Sequence, residues 1–239
     1  MTARSTPDVD RASPASAVPY VGLRPFDIQE ATIFYGRGEH IAEMLGTLRR
    51  RHFLAVVGSS GSGKSSLVRA GLLPAIAAGS LEGPGSDWRF VVMRPGRQPY
   101  ENLLAAFLHA VAPDEADDPD LQAIRNLTLR SGPRGLLQAV NESLLPEKTR
   151  ILVVVDQFEE IFRFLQRGGW SASAAVPVTD DQRNEAIAFV DLLLTTVQAR
   201  DPHVRIVLTM RSDYLGDCEA FLGLSSAISK AEFLTPRMT

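Results

Sequence analysis

Cysteine is almost missing from these 239 residues: Cys218 stands alone, so no intrachain disulfide can form. A reducing compartment fits such a chain. No apolar run approaches the ~20 residues that a membrane-spanning helix needs, and the N-terminus lacks the apolar core of a secretory signal. The expectation is a cytoplasmic protein with no membrane partner. Basic excess is missing too. The formal net charge is −3, and no aromatic-basic patch stands out, which argues against a nucleic-acid partner. One basic strip, Arg49-Arg50-Arg51-His52, reads as the polar end of a helix, where cations suit the dipole. What is present is apolar: 45% of the residues are hydrophobic, enough for one sizeable α/β domain.

The most informative stretch runs from Phe53 to Ser66, FLAVVGSSGSGKSS. Phe53 to Val57 is an apolar run suited to a buried strand. Gly58, Ser59, Ser60, Gly61, Ser62, Gly63, Lys64 and Ser65 follow and fit G-x-x-x-x-G-K-[ST], the P-loop pattern; Ser66 and the apolar Leu67, Val68, Leu72 and Leu73 then read as a helix. The spacing has a physical reason. Glycines let the backbone curl into a nest of inward N–H groups, and the helix that follows aims its positive end at the same point. In such a loop Lys64 reaches the β- and γ-phosphates of a nucleoside triphosphate, and the Ser65 hydroxyl holds Mg2+.

The rest of the chain alternates strands with helices. Residues 1–19 are rich in Ser, Ala, Pro and Thr and read as a disordered leader before a core domain over 20–239. Tyr20 to Phe26 reads as an extended lead-in, Gly36 and Gly38 mark a turn, and a helix from Glu39 carries Ile41, Met44, Leu45 and Leu48 on one face. Pro74 is expected to end or kink the P-loop helix. Residues 88–93, 151–155, 204–210 and 231–235 read as further strands. Helical patterns fill the gaps: one from Pro99, one over 121–145 broken near Gly132-Pro133, one from Gln157, and one over 181–199 with Ile187, Val190, Leu194 and Val197 on one side. Pro113 to Asp120 reads as a solvated acidic loop, and Gly168 to Thr179 as a small-residue loop. Alternation of this kind predicts a parallel sheet with helices on both faces.

Ligands of open α/β sheets sit beyond the carboxyl ends of the strands. Three strands end there in useful chemistry: the P-loop, Asp156 and Arg211. An aspartate after an apolar strand, paired with a P-loop upstream, is a Walker B pattern whose carboxylate holds Mg2+ opposite Ser65. Glu159 and Glu160 are both placed to activate an attacking water, although acids in the first turn of a helix also simply favour its dipole. Arg211 can contact a γ-phosphate or, as a plainer alternative, pair with Asp213 on the surface.

With these residues in hand, the chain resembles the STAND class of P-loop NTPases, signal-transduction ATPases with numerous domains, and within it the bacterial novel STAND branch. The resemblance rests on YVGLRPF, FYGR, the P-loop with RAGLLP behind it, VVVDQFEEIF and LTMRSDYLGDC, and runs from Tyr20 to Thr239. It implies a three-layer α/β fold with strand order 5-1-4-3-2, akin to AAA+ and NACHT ATPases. It also implies that Tyr35, Gly36 and Arg37 contact adenine, that Asp156, Glu159 and Glu160 form an extended Walker B motif, and that Arg211 is a sensor arginine. Family members continue into a helical lid, a winged-helix domain and sensor or effector modules, and nucleotide couples these to oligomerisation. Here the chain reads as the core domain without lid and winged helix. The expected function is an ATP-binding, Mg2+-dependent, slowly hydrolysing switch in signalling or defence, with a nucleotide-dependent homo-oligomer as a further expectation. The alternatives are a turnover P-loop enzyme, such as a kinase or motor ATPase, and a nucleotide-binding module that does not hydrolyse.

Overall fold

The structure is a computed structural model and describes residues 36–165 and 178–236. The expected leader, the lead-in at 20–26, Tyr35 and the loop from Gly168 to residue 177 lie outside the described residues. In chain order the elements are α1 (Gly38–Arg51), β1 (Phe53–Gly58), the P-loop helix, β2 (Asp87–Met93), α4 (Pro99–Val111), α5 (Pro119–Leu129), α6 (Gly135–Glu142), β3 (Thr149–Val155), α7 (Asp180–Ala199), β4 (Val204–Arg211), α8 (Leu224–Lys230) and β5 (Glu232–Leu234). The P-loop helix has three consecutive parts: α2 (Lys64–Ser66), a π-helical stretch (Leu67–Leu72) and α3 (Leu73–Ala77).

The strands form one parallel sheet in the order β2-β3-β4-β1-β5, which is 5-1-4-3-2 read from the other edge. Hydrophobicity explains which strands are central. Every residue of β1 is buried, and β3 and β4 are buried at all but one position, as strands covered on both faces require. The edge strands β2 and β5 alternate buried with accessible residues.

Side-chain parity then sorts the core into two layers. Phe53, Ala55 and Val57, with Ile151, Val153 and Val155 and with Ile206, Leu208 and Met210, pack toward α4, α6, α7 and α8. Leu54, Val56, Leu152, Val154, Val207, Trp88 and Phe233 pack toward α1 and the P-loop helix. This second face positions the site. Continuing its parity past the last apolar residue of each strand gives Gly58, Arg94, Asp156, Thr209 and Arg211, all on the side of the P-loop helix.

Several local expectations need correction. Pro74 does not end the P-loop helix, which continues to Ala77. The turn before it is widened to π geometry, with the Leu73 N–H bonded to the Val68 carbonyl five residues back. That widening accommodates a ring that would otherwise crowd the preceding turn. The helix expected from Gln157 is a 3-10 helix, Phe158–Phe164. Its buried Phe158, Ile161 and Phe164 recur every three residues, the period of that helix. On α7 the buried face is carried by Phe189, Leu192 and Leu193 as well as Val190 and Leu194, while Ile187 stays 45% exposed. The Phe189 ring meets Tyr100 of α4 edge-on at 5.7 Å, which fixes the helix's rotation. Among the described residues no helix is long and apolar enough to cross a membrane.

The acidic stretch 113–120 is more than solvated surface. Asp118 caps α5 by accepting hydrogen bonds from the N–H groups of Asp120 and Leu121. Glu115 receives both arms of Arg125, at 2.7 Å each, and Arg125 also reaches Glu142 at 3.5 Å. The forked hydrogen bond from Arg125 holds the Glu115 carboxyl below its usual range against the opposing effect of burial. Its folded pKa is lower than its unfolded one, so its contribution is complete above the ordinary glutamate value of about 4.3 and is lost as pH falls through the folded value. Arg125→Ala is therefore expected to lower stability by about 1–3 kcal/mol, less than the roughly 3–5 kcal/mol of a fully buried pair, since 22% of Glu115 remains exposed. Urea denaturation checks this, and an unchanged midpoint at pH 7 would show the pair to be idle.

Candidate functional site

The site forms where β1 gives way to the P-loop helix. Gly61 and Gly63 take φ of +73° and +84°, backbone that other residues adopt only with strain. Their curl lets the loop turn back over the sheet edge before Lys64 starts the helix. Gly58 is fixed differently. A Cβ there would meet Ser62 Oγ at 2.8 Å and the Cβ of Thr235, just past β5, at 3.1 Å. Ser59, Ser60 and Gly61 form the outer part of the turn, Ser62 is buried beneath it, and Ser65 and Ser66 sit in the first helical turn.

Lys64 folds back on its own loop. Its Nζ donates to the carbonyls of Gly58 at 3.0 Å and Ser59 at 2.8 Å, and the residue is 8% exposed. Burial pulls its pKa down, partly offset by the charge of Glu159. Two neutral carbonyl oxygens are weak partners for a desolvated ammonium.

Asp156 follows β3 and is 1% exposed. Ser65 Oγ donates to its Oδ1 at 2.6 Å, and Thr209 Oγ1 of β4 donates to the same oxygen at 2.7 Å. On Oδ2 it meets Arg69 at 3.2 Å and Arg94 at 3.4 Å. Burial alone would push this carboxyl up. The hydrogen bonds from Ser65 and Thr209, with the charges of Arg69 and Arg94, outweigh it and hold the pKa below the usual aspartate value.

The two glutamates, indistinguishable in sequence, separate in space. Glu159 Oε2 accepts from the Arg211 backbone N–H at 3.3 Å, in the field of Lys64, and burial pushes its carboxyl up. Glu160 turns the other way. It accepts from the Gly96 N–H at 2.8 Å and pairs with Arg163 at 3.2 Å. The Arg211 guanidinium is bonded to Asp213 and lies 5.7 Å from the centre of the Tyr214 ring, so the plainer of its two sequence readings describes this conformation.

Gly36 and Arg37 sit at the start of α1. That helix runs back along β1, and its 14 residues span about 21 Å against about 20 Å for the six residues of β1. The turn is thereby level with the P-loop. His40, one turn in, packs its ring edge-on against Phe233 of β5 at 5.9 Å.

With this geometry in place, the comparisons decide the family. A family model, Novel STAND NTPase 1, matches residues 19–239. The chain belongs to that family. No curated protein matches it. Among solved structures, this STAND chain is similar to the ORC2 protein of Aeropyrum pernix in its ADPNP–ADP complexes, at 13% identity and TM-score 0.47, over 85% of this chain and 48% of that one. The STAND chain thus spans about half the length of that structure. Its own sheet order and P-loop define a P-loop NTPase fold with a nucleotide-binding role.

Three residues of this STAND site were not singled out from sequence: Arg69, Arg94 and Thr209. Each had a signal. Arg69 lies four residues after Ser65, on the same helix face. Arg94 directly follows β2, much as Arg211 ends β4. Thr209 is a polar interruption in the apolar run of β4. Thr209 also accepts from the Gln157 N–H at 2.9 Å, so it clamps the turn after β3. Thr209→Val keeps the shape but leaves that N–H unpaired and strips a donor from Asp156. A loss of about 1–3 kcal/mol in urea denaturation is expected; a neutral result would remove the clamp from the account.

Proposed function

We propose that this domain is an ATP-binding, Mg2+-dependent switch that resets by slow hydrolysis. The observation that carries the reading is the 2.6 Å contact between Ser65 and Asp156, which joins the P-loop to the end of β3. These two hard oxygen donors, one hydroxyl and one ionised carboxylate, suit Mg2+, which favours one or two protein ligands completed by phosphate oxygens and water. Bound there, Mg2+ would neutralise charge on the β- and γ-phosphates.

The remaining roles fall to the chain's own groups. The N–H groups of the Gly58–Ser66 loop cradle the phosphates, and Lys64 exchanges its two carbonyls for phosphate oxygen. Glu159 takes a proton from the attacking water, because it lies in the field of Lys64 and Arg211 and its carboxyl is shifted up toward neutrality. Glu160 has a structural part, bracing the loop at Gly96. Arg211 releases Asp213 and turns to the γ-phosphate. Gly36 and Arg37, with Tyr35, contact the adenine.

A switch needs a ligand that favours one state over another. Here the differential comes from partner exchange: Lys64 and Arg211 both have internal partners that a triphosphate replaces. The lid, winged-helix and sensor or effector modules of the family, together with other copies of the chain, are the proposed receivers of that change, in signalling or defence within the cytoplasm.

Phosphate release from ATP tests the assignment. Glu159→Gln is expected to reduce turnover about 100-fold or more while ATP affinity stays intact, whereas Glu160→Gln stays within a few-fold of the unaltered protein. The unaltered protein should also lose turnover on acidification at a pH above the ordinary carboxylate range, because only the ionised Glu159 accepts the proton. Equal loss in both variants would overturn the distinction, and no release from the unaltered protein would favour a module that binds without hydrolysing.

A further inference from the structure

Asp156 is contacted on both oxygens, and the two sides differ in kind. Oδ1 accepts from neutral hydroxyls, Ser65 and Thr209. Oδ2 faces cations: Arg69 at 3.2 Å, from the P-loop helix, and Arg94, whose Nε and terminal nitrogen lie at 3.4 and 3.5 Å, from the residue after β2. One carboxylate among two guanidiniums leaves a local excess of one positive charge. A divalent cation drawn to Asp156 and Ser65 has to share that carboxylate with two like charges, in a partly buried setting where solvent screens poorly. A triphosphate reverses the balance. It brings dense negative charge and oxygens that match the guanidinium fork.

The geometry points to Arg69 and Arg94 as a paired latch on Asp156 that makes metal binding conditional on the triphosphate. This rests on the nucleotide reading above. Without nucleotide the arginines occupy the carboxylate and exclude the metal. When the triphosphate arrives, Arg94 moves to a phosphate oxygen and frees Oδ2. Arg94 is built for such a movement. Its side chain is 45% exposed, while its carbonyl is anchored by the Asn102 amide at 3.1 Å, so the side chain swings on a fixed backbone. Arg69, 26% exposed and held on a helix, is the steadier half. The latch explains an otherwise redundant arrangement: Ser65 and Thr209 already satisfy Oδ1, and one arginine would suffice to neutralise the charge. It also gives an order of events, since metal joins only a site that has taken up its phosphate.

Mn2+ titrations followed by the loss of its free electron paramagnetic resonance signal test this. They are made with the metal alone and again with a non-hydrolysable ATP analogue, on the unaltered protein and on Arg94→Gln, Arg69→Gln and Arg94→Lys. The unaltered protein should bind Mn2+ alone weakly and about 10–100-fold more tightly with the analogue. Arg94→Gln should bind Mn2+ alone about tenfold more tightly, with a correspondingly smaller gain from the analogue. Arg69→Gln should shift the same way, and Arg94→Lys, which keeps the charge, should stay near the unaltered protein. Mn2+ affinity without nucleotide that is unchanged or weaker in both glutamine variants would overturn the latch. So would an Arg94→Gln protein that loses only affinity for the analogue, which would make Arg94 a phosphate contact alone. A fluorescent ATP analogue that does not bind the unaltered protein would instead overturn the nucleotide reading, so the two failures are distinguishable.

Discussion

A carboxylate shut away from water at the end of a central strand must be matched by donors or it will not stay ionised. Asp156 meets that requirement by gathering groups from every direction: a hydroxyl from the P-loop helix, a hydroxyl from β4, and cations from the P-loop helix and from β2. Three strands and the phosphate loop are thereby tied to one point. The positions of Ser65, Arg69, Arg94 and Thr209 make sense together as the coordination of that single buried charge. In the proposed reading, that charge is what a metal-nucleotide site would use.

The same economy governs the cations. Lys64, Arg94 and Arg211 each rest on an internal acceptor: loop carbonyls, Asp156 and Asp213 respectively. The site's positive groups are thus each partnered from within the chain. The proposed triphosphate would offer all three a shared anionic partner. In the proposed switch, one ligand would replace three internal partners and so act on the loops after β1, β2 and β4 at once.

Much of this was legible in the residues themselves. The three central strands could be read because parallel strands covered on both faces are written as nearly unbroken apolar runs. The loop FLAVVGSSGSGKSS marked the family's P-loop through spacing, and strand-terminal position put Asp156 and Arg211 forward as candidates. What stayed hidden was direction. Glu159 and Glu160 are neighbours in sequence, yet a 3-10 turn sends one toward Lys64 and Arg211 and the other toward Gly96 and Arg163. Arg94 was passed over because β2 is an edge strand whose register with β3, Met93 opposite Val155, emerges only from the folded sheet. The π-helical stretch before Pro74 was hidden for a similar reason, since local propensity records the proline but not the widened turn that accommodates it.

The central claim is that Lys64 and the glycine nest hold a nucleoside triphosphate against Asp156. Isothermal titration calorimetry with a non-hydrolysable ATP analogue and Mg2+ tests it most directly, on the unaltered protein and on Lys64→Ala. One binding event per chain, weakened about 100-fold or more in Lys64→Ala, is the predicted result. Equal heats from both proteins, or no heat from either with any purine triphosphate, would contradict the account.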